Sequence, residues 1–101
     1  MKIKILSSAY NDLLRGRHFY ENQAENLGEY FFDSLFSDID SLTLYAGIHP
    51  MLFGYHRMLS NRFPYAIYYK LDKNSNITIG RVLDCRQDPK KIEIQLTDEI
   101  S

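Results

Sequence analysis

The chain has 101 residues, the size of one ordinary domain, and we expect a single unit over residues 1–101. Hydrophobic residues make up 45% and charged residues 25%, the balance of a folded globular protein and not of a disordered one. A net charge of −1 is unlike that of a strong non-specific nucleic-acid binder, and a single cysteine, Cys85, excludes both an internal disulfide and a Cys-rich metal site.

Lys2-Ile3-Lys4-Ile5-Leu6 alternates polar and apolar, which predicts a first strand with one buried face. This apolar stretch is too short for a signal-peptide core, and no run approaches the roughly 20 residues of a membrane span, so a cytoplasmic protein with no membrane partner is expected. Ser8 is placed to cap a helix, with Asp12 in its first turn, where a carboxylate suits the helix dipole. Ala9, Leu13, Gly16 and Tyr20 recur at helical spacing and predict a helix from Ala9 to about Ala24. Gly16 in mid-helix points to a close helix–helix crossing. Asn26-Leu27-Gly28 breaks the pattern, and a second helix is expected from there to Tyr45 on the stripe Phe31, Leu35, Ile39, Leu42 and Ala46. Gly47 and Pro50 end it, and so short a break makes the two helices an antiparallel hairpin.

After Pro50 the period becomes strand-like. Phe53–Leu59, Phe63–Leu71 and Ile77–Asp84 are expected as three strands, with turns at Ser60-Asn61 and Asp72-Lys73-Asn74-Ser75-Asn76. The fold class is therefore α+β: an N-terminal strand, a two-helix hairpin, then a three-stranded antiparallel meander. Asp88-Pro89 is a helix-start signal, whereas Lys91-Ile92-Glu93-Ile94-Gln95-Leu96 alternates like a strand. A short surface helix or an extended segment fits this end. Residues 54–91 hold eight Lys and Arg against three Asp, so the sheet half is locally basic.

Three stretches carry a resemblance. The first is Asp12-Leu13, Phe19-Tyr20-Glu21, Leu27-Gly28 and Phe31. The second is Arg57, then Arg62-Phe63-Pro64-Tyr65 and Tyr68-Tyr69. The third is Val82-Leu83-Asp84-Cys85-Arg86-Gln87-Asp88-Pro89. In order and spacing they resemble the RelE/ParE superfamily of bacterial toxins over roughly residues 1–90. The resemblance implies a toxin of a type II toxin–antitoxin pair, with a cognate antitoxin as partner. It also implies one of two activities: RelE-like members cleave messenger RNA on the ribosome, and ParE-like members poison DNA gyrase without nuclease chemistry. A homodimer is a further possible assembly, and no cofactor or metal is implied.

Cleavage through the RNA 2′-hydroxyl needs a base, a cation at the phosphate and an acid for the leaving oxygen. Arg57, Arg62, Arg81 and Arg86 are candidate cations, because a guanidinium grips phosphate with two hydrogen bonds. The acid is the weak point. Asp84 stands where the family often has His, and an ordinary Asp, with a pKa near 3.9, is a poor acid at neutral pH. Gln87 replaces the second Arg of the usual pair, no Tyr follows Tyr69, and no His follows His56. The expected function is accordingly ParE-like binding of a protein target such as DNA gyrase, with Arg81, Arg86, Tyr65 and Tyr69 as binding residues. The alternatives are a RelE-like ribosome-dependent mRNA interferase and a degenerate, non-toxic member. A plainer expectation for Arg81 and Arg86 is pairing with Asp84 and Asp88.

Overall fold

The structure, a computed structural model, describes residues 2–98. Strand β1 (Ile3–Ile5) leads into helix α1 (Ser7–Glu21), then α2 (Leu27–Asp40) and the single turn α3 (Leu42–Tyr45). Four strands follow: β2 (Met51–Leu52), β3 (Tyr55–Leu59), β4 (Tyr65–Leu71) and β5 (Ile77–Asp84). Helix α4 (Pro89–Asp98) comes last. The sheet order is β1-β5-β4-β3-β2, with β1 parallel to β5 and every other pair antiparallel. The expected α+β order and the crossover from the first strand into the meander are thus present. Among the described residues no helix is long and apolar enough to cross a membrane.

The α1–α2 hairpin covers one face of the sheet. Leu13, Phe31, Leu35 and Leu42 are fully buried there against Ile67, Tyr69, Ile77 and Ile79. The crossing is close because Gly16 has no side chain. A Cβ at that position would lie 2.5 and 2.6 Å from atoms of the Phe31 ring. The Glu21 carboxylate accepts from the Asn26 and Gly28 N–H groups (3.0 and 2.9 Å), so α1 itself caps the start of α2. On the opposite face, α4 lays Ile92 and Leu96 over Tyr55, Ala66, Tyr68 and Leu83. Asp88 caps it, its carboxylate accepting from the Lys90 N–H at 3.0 Å.

Three local expectations are corrected. Ser8 is no cap: α1 starts at Ser7, two residues before the expected Ala9, and the Ser8 hydroxyl donates to the Gly80 carbonyl at 2.8 Å. The second helix pauses at Ser41, where the chain enters α3. Phe53 does not begin a strand. Phe53 and Gly54 both have positive φ (51° and 84°) and form the two-residue turn that joins β2 to β3, which makes the sheet five-stranded. Of the two forms expected at the C-terminal end, the helix is present: Ile92 and Leu96 are buried at i and i+4 while Ile94 faces water. Residues 99–101 lie outside the described residues.

Candidate functional site

The four candidate arginines are built into different places. Arg81 follows an irregularity in the β4–β5 register and reaches around the open edge of β5. Its guanidinium donates to both carboxylate oxygens of Asp12 on α1 (2.7 and 2.9 Å) and, more weakly, to the Gln95 carbonyl of α4 (3.4 Å). One side chain therefore ties the hairpin on one face to the helix on the other. Asp12, whose side chain is 3% exposed, also accepts from the Val82 N–H at 3.0 Å and pairs with Arg15. Asp12 is thus a buried ion and not a dipole ornament, and Arg81 pairs with it and not with Asp84 or Asp88.

Arg86 does pair with Asp84, through Nε at 3.0 Å and Nη2 at 2.7 Å, at the end of β5. More than half of its side chain stands in water. Its hydrogen bonds hold the Asp84 carboxyl below the usual carboxylate range, so at neutral pH Asp84 is even less often protonated, and less able to donate a proton, than an isolated Asp. Tyr65 lies nearby, on the wall of a hollow of about 280 Å³ that Asp12, Arg15, Phe19, Asp84, Gln87 and Gln95 also line. Burial first, then the Asp84 charge, pushes the Tyr65 hydroxyl up to about 12, which makes it a reluctant proton donor. Arg62 lies at the β3–β4 turn, its guanidinium 6.0 Å from the Tyr30 ring centroid.

Arg57 occupies the α4 face. Its Nε donates to the Tyr68 hydroxyl at 3.2 Å and its Nη2 lies 3.6 Å from the Cys85 sulfur. Leu52, Phe53, Pro89 and Ile92 wall a hollow of about 220 Å³ beside it. Burial raises the Cys85 thiol above its ordinary value, against the opposing pull of Arg57, so it is mostly protonated at neutral pH. Tyr69 is placed in the core and not on a docking surface. Its hydroxyl accepts from the Gly47 N–H at 2.9 Å and donates to His49 Nδ1 at 2.6 Å, while the His56 ring stacks on its own ring. Burial lowers the His49 pKa, and the neighbouring His56 lowers it further. Sequence reasoning missed this His49–Tyr69 pair and the Asp12–Arg81 pair. Both join residues far apart in the chain, and only an unusual density of polar residues on an apolar face would have hinted at them.

Each of the four candidate arginines therefore answers to different neighbours, and Arg81 shares Asp12 with Arg15. Outside this group, the hairpin presents an outer face to water. Tyr10 and Leu14 of α1 meet the half-buried Phe32 and Phe36 of α2, with the Tyr10 and Phe32 centroids 6.3 Å apart. Exposed Glu29, Asp33 and Asp40 stand on α2 around these rings, while Arg17 of α1 lies over the Phe32 ring and pairs with Glu29 at 3.1 Å.

No protein-family profile matches the sequence, and no curated protein matches it. Among solved structures, a chain of "Chromosomal ParDE TA system from P. aeruginosa" superposes with a TM-score of 0.72 at 17% identity. The match covers 81% of the present chain and 92% of that one. At that identity the likeness is one of architecture, and the order of strand, helix hairpin and meander is the RelE/ParE-like fold expected from the sequence.

Proposed function

We propose that the chain is the toxin of a type II toxin–antitoxin pair and that it acts ParE-like, by gripping a protein target such as DNA gyrase. The observation that carries this reading is the dispersal of the arginines. Arg81 is consumed by a buried carboxylate, Arg86 by Asp84, and Arg57 and Arg62 sit at separate places, so no three of them meet around one phosphate. The acid side is equally thin, since Asp84 is held low, Tyr65 is held high and the Cys85 thiol is held protonated. An interferase needs these groups converged within hydrogen-bond reach of the reacting atoms. A docking surface needs only exposed charge at one end of the sheet, and Arg62, Arg86, Lys90 and Lys91 supply that.

The antitoxin's seat in this reading is the outer face of the hairpin. Its aromatic floor and acidic rim suit an amphipathic segment that brings apolar anchors and basic flanks.

One observation favours the RelE-like alternative: the half-buried Arg57 touches only neutral partners, so an anion could approach it. Induced expression separates the readings. We expect growth arrest with inhibited gyrase supercoiling and intact messenger RNA, and weaker arrest for Arg86→Ala. Ribosome-dependent RNA cleavage by the wild type that disappears in Arg57→Ala would replace the first reading with the second. Absence of any arrest would leave a non-toxic member of the same fold.

A further inference from the structure

The sheet has two edges, and they are finished differently. At the β1 edge, Lys2 precedes the strand and Lys4 stands at its centre. Beyond the end of β1, the Val82 N–H is taken by Asp12 (3.0 Å) and the Gly80 carbonyl by the Ser8 hydroxyl (2.8 Å). Lysines and capped backbone groups keep an edge from pairing with another chain. At the β2 edge neither device is present. From Ser41 to His56 there is no Asp, Glu, Lys or Arg. Six large apolar side chains of that run stand in water: Leu44, Tyr45, Ile48, Met51, Leu52 and Phe53, with Leu44 79% and Ile48 73% exposed. Tyr45 and Ile48, with Leu59 of β3, rim a depression of about 370 Å³.

The phase of the ladder completes the edge. The Arg57 N–H donates to the Pro50 carbonyl at 2.8 Å, and Leu52 faces Tyr55 where the turn closes. Met51 lies between these two pairs, opposite His56. In an antiparallel ladder that alternate position turns its N–H and C=O away from β3, into the open edge.

We propose that this edge is a two-fold contact with a second copy of the chain, in which β2 pairs antiparallel with its own counterpart about an axis at Met51. Charge and size together point to a second copy. On the two-fold axis of an isologous contact a residue faces its own copy, so a charge at or beside Met51 would meet its like. A charge-free run is the composition that tolerates this. A partner of different chemistry makes no such demand, and the other exposed apolar face, on the hairpin, carries Glu29, Asp33 and Asp40. The size is also right: a stable pair buries about 800 Å² per partner, and six large side chains this exposed supply most of it. The pairing would run two five-stranded sheets into one.

Sedimentation of the full chain over a concentration series tests this. It is independent of toxicity, so its failure would leave the proposed function standing. We expect a dimer at roughly 10 µM chain. Ile48→Glu should weaken it at least tenfold. Met51→Glu and Met51→Lys should each be monomeric, fold cooperatively and melt at a temperature independent of chain concentration, and an equimolar mixture of the two should regain the dimer, because the residue faces itself. A wild type that stays monomeric at about 100 µM, or a Met51→Glu variant as dimeric as the wild type, would overturn the proposal. So would two monomeric variants that fail to rescue each other. A monomeric wild type whose antitoxin binding is lost in Met51→Glu would assign the edge to the antitoxin instead.

Discussion

Removing Arg81 withdraws two hydrogen bonds from a carboxylate that has almost no access to water. Losing one partner of a buried ion pair costs about 3–5 kcal/mol. Arg15 and the Val82 N–H still hold Asp12, so Arg81→Ala should fall at the low end, about 3 kcal/mol, read as a lower urea midpoint. Any loss of toxicity in that variant would come from a weakened fold, whereas Arg86→Ala removes a mostly exposed pair and should lower the melting temperature only slightly. Acid reports on two other groups. Because burial and then His56 hold His49 below 6.5, the unfolded chain binds that proton more readily than the folded one. Stability is therefore full above pH 6.5 and declines as pH falls through the folded value. Asp84, held below 3.8 first by the Arg86 side chain, contributes fully above pH 3.8 and is lost below it. Melting temperature against pH should thus fall in two stages, and His49→Gln should remove the first alone. Cys85, its thiol raised by burial above 9.0, should react slowly with iodoacetamide at neutral pH. Fast alkylation there would contradict the protonated thiol.

The helices were legible because their apolar stripe is long and regular, and Phe31, Leu35, Ile39 and Leu42 are all essentially dry. Gly16 was legible as a crossing point for the same reason. Gly16→Ala should gain up to ~1 kcal/mol of helix propensity but lose about 1–3 kcal/mol to overpacking against Phe31. We expect net destabilisation, largely relieved by Phe31→Leu, which a double-mutant cycle would show as non-additivity. The β2–β3 turn was not legible, because Phe is a poor residue for a positive φ and the pair Phe53-Gly54 hides inside an apolar run. At α4, alternation and i,i+4 spacing coincide at Ile92 and Leu96, and only the sheet face beneath decides between them. Of the candidate site, the Asp84–Arg86 pair could be read from neighbouring positions. Arg81 with Asp12 could not, since 69 residues separate them. Cutting the chain after Asp88 should bare Tyr68 and Leu83, and we expect a rise in binding of a hydrophobic dye.

Across the whole molecule, charge is divided. The hairpin carries its exposed acids outward, and the sheet half carries an excess of Lys and Arg. If a basic antitoxin segment sits on the acidic face, raising salt from about 0.05 to 0.5 M should slow association more than it speeds dissociation, because rim charges act mainly on encounter. Surface plasmon resonance at the two salt concentrations would show it, and a salt-independent association rate would place the contact elsewhere. The pairing of β1 with β5 has a consequence in time. Ile3 to Ile5 leave the ribosome well before the strand they pair with, which starts at Ile77, and the Ser8–Gly80 link spans 72 residues. At about 5–20 residues per second, the interval between the two is on the order of ten seconds. Through that interval the hairpin segment has no sheet to cover, and Leu13, Phe31 and Leu35 lack the surface that buries them. Isolated helices of this length are marginal in water, so a pulse of protease during synthesis should cut the α1 segment until β5 has emerged.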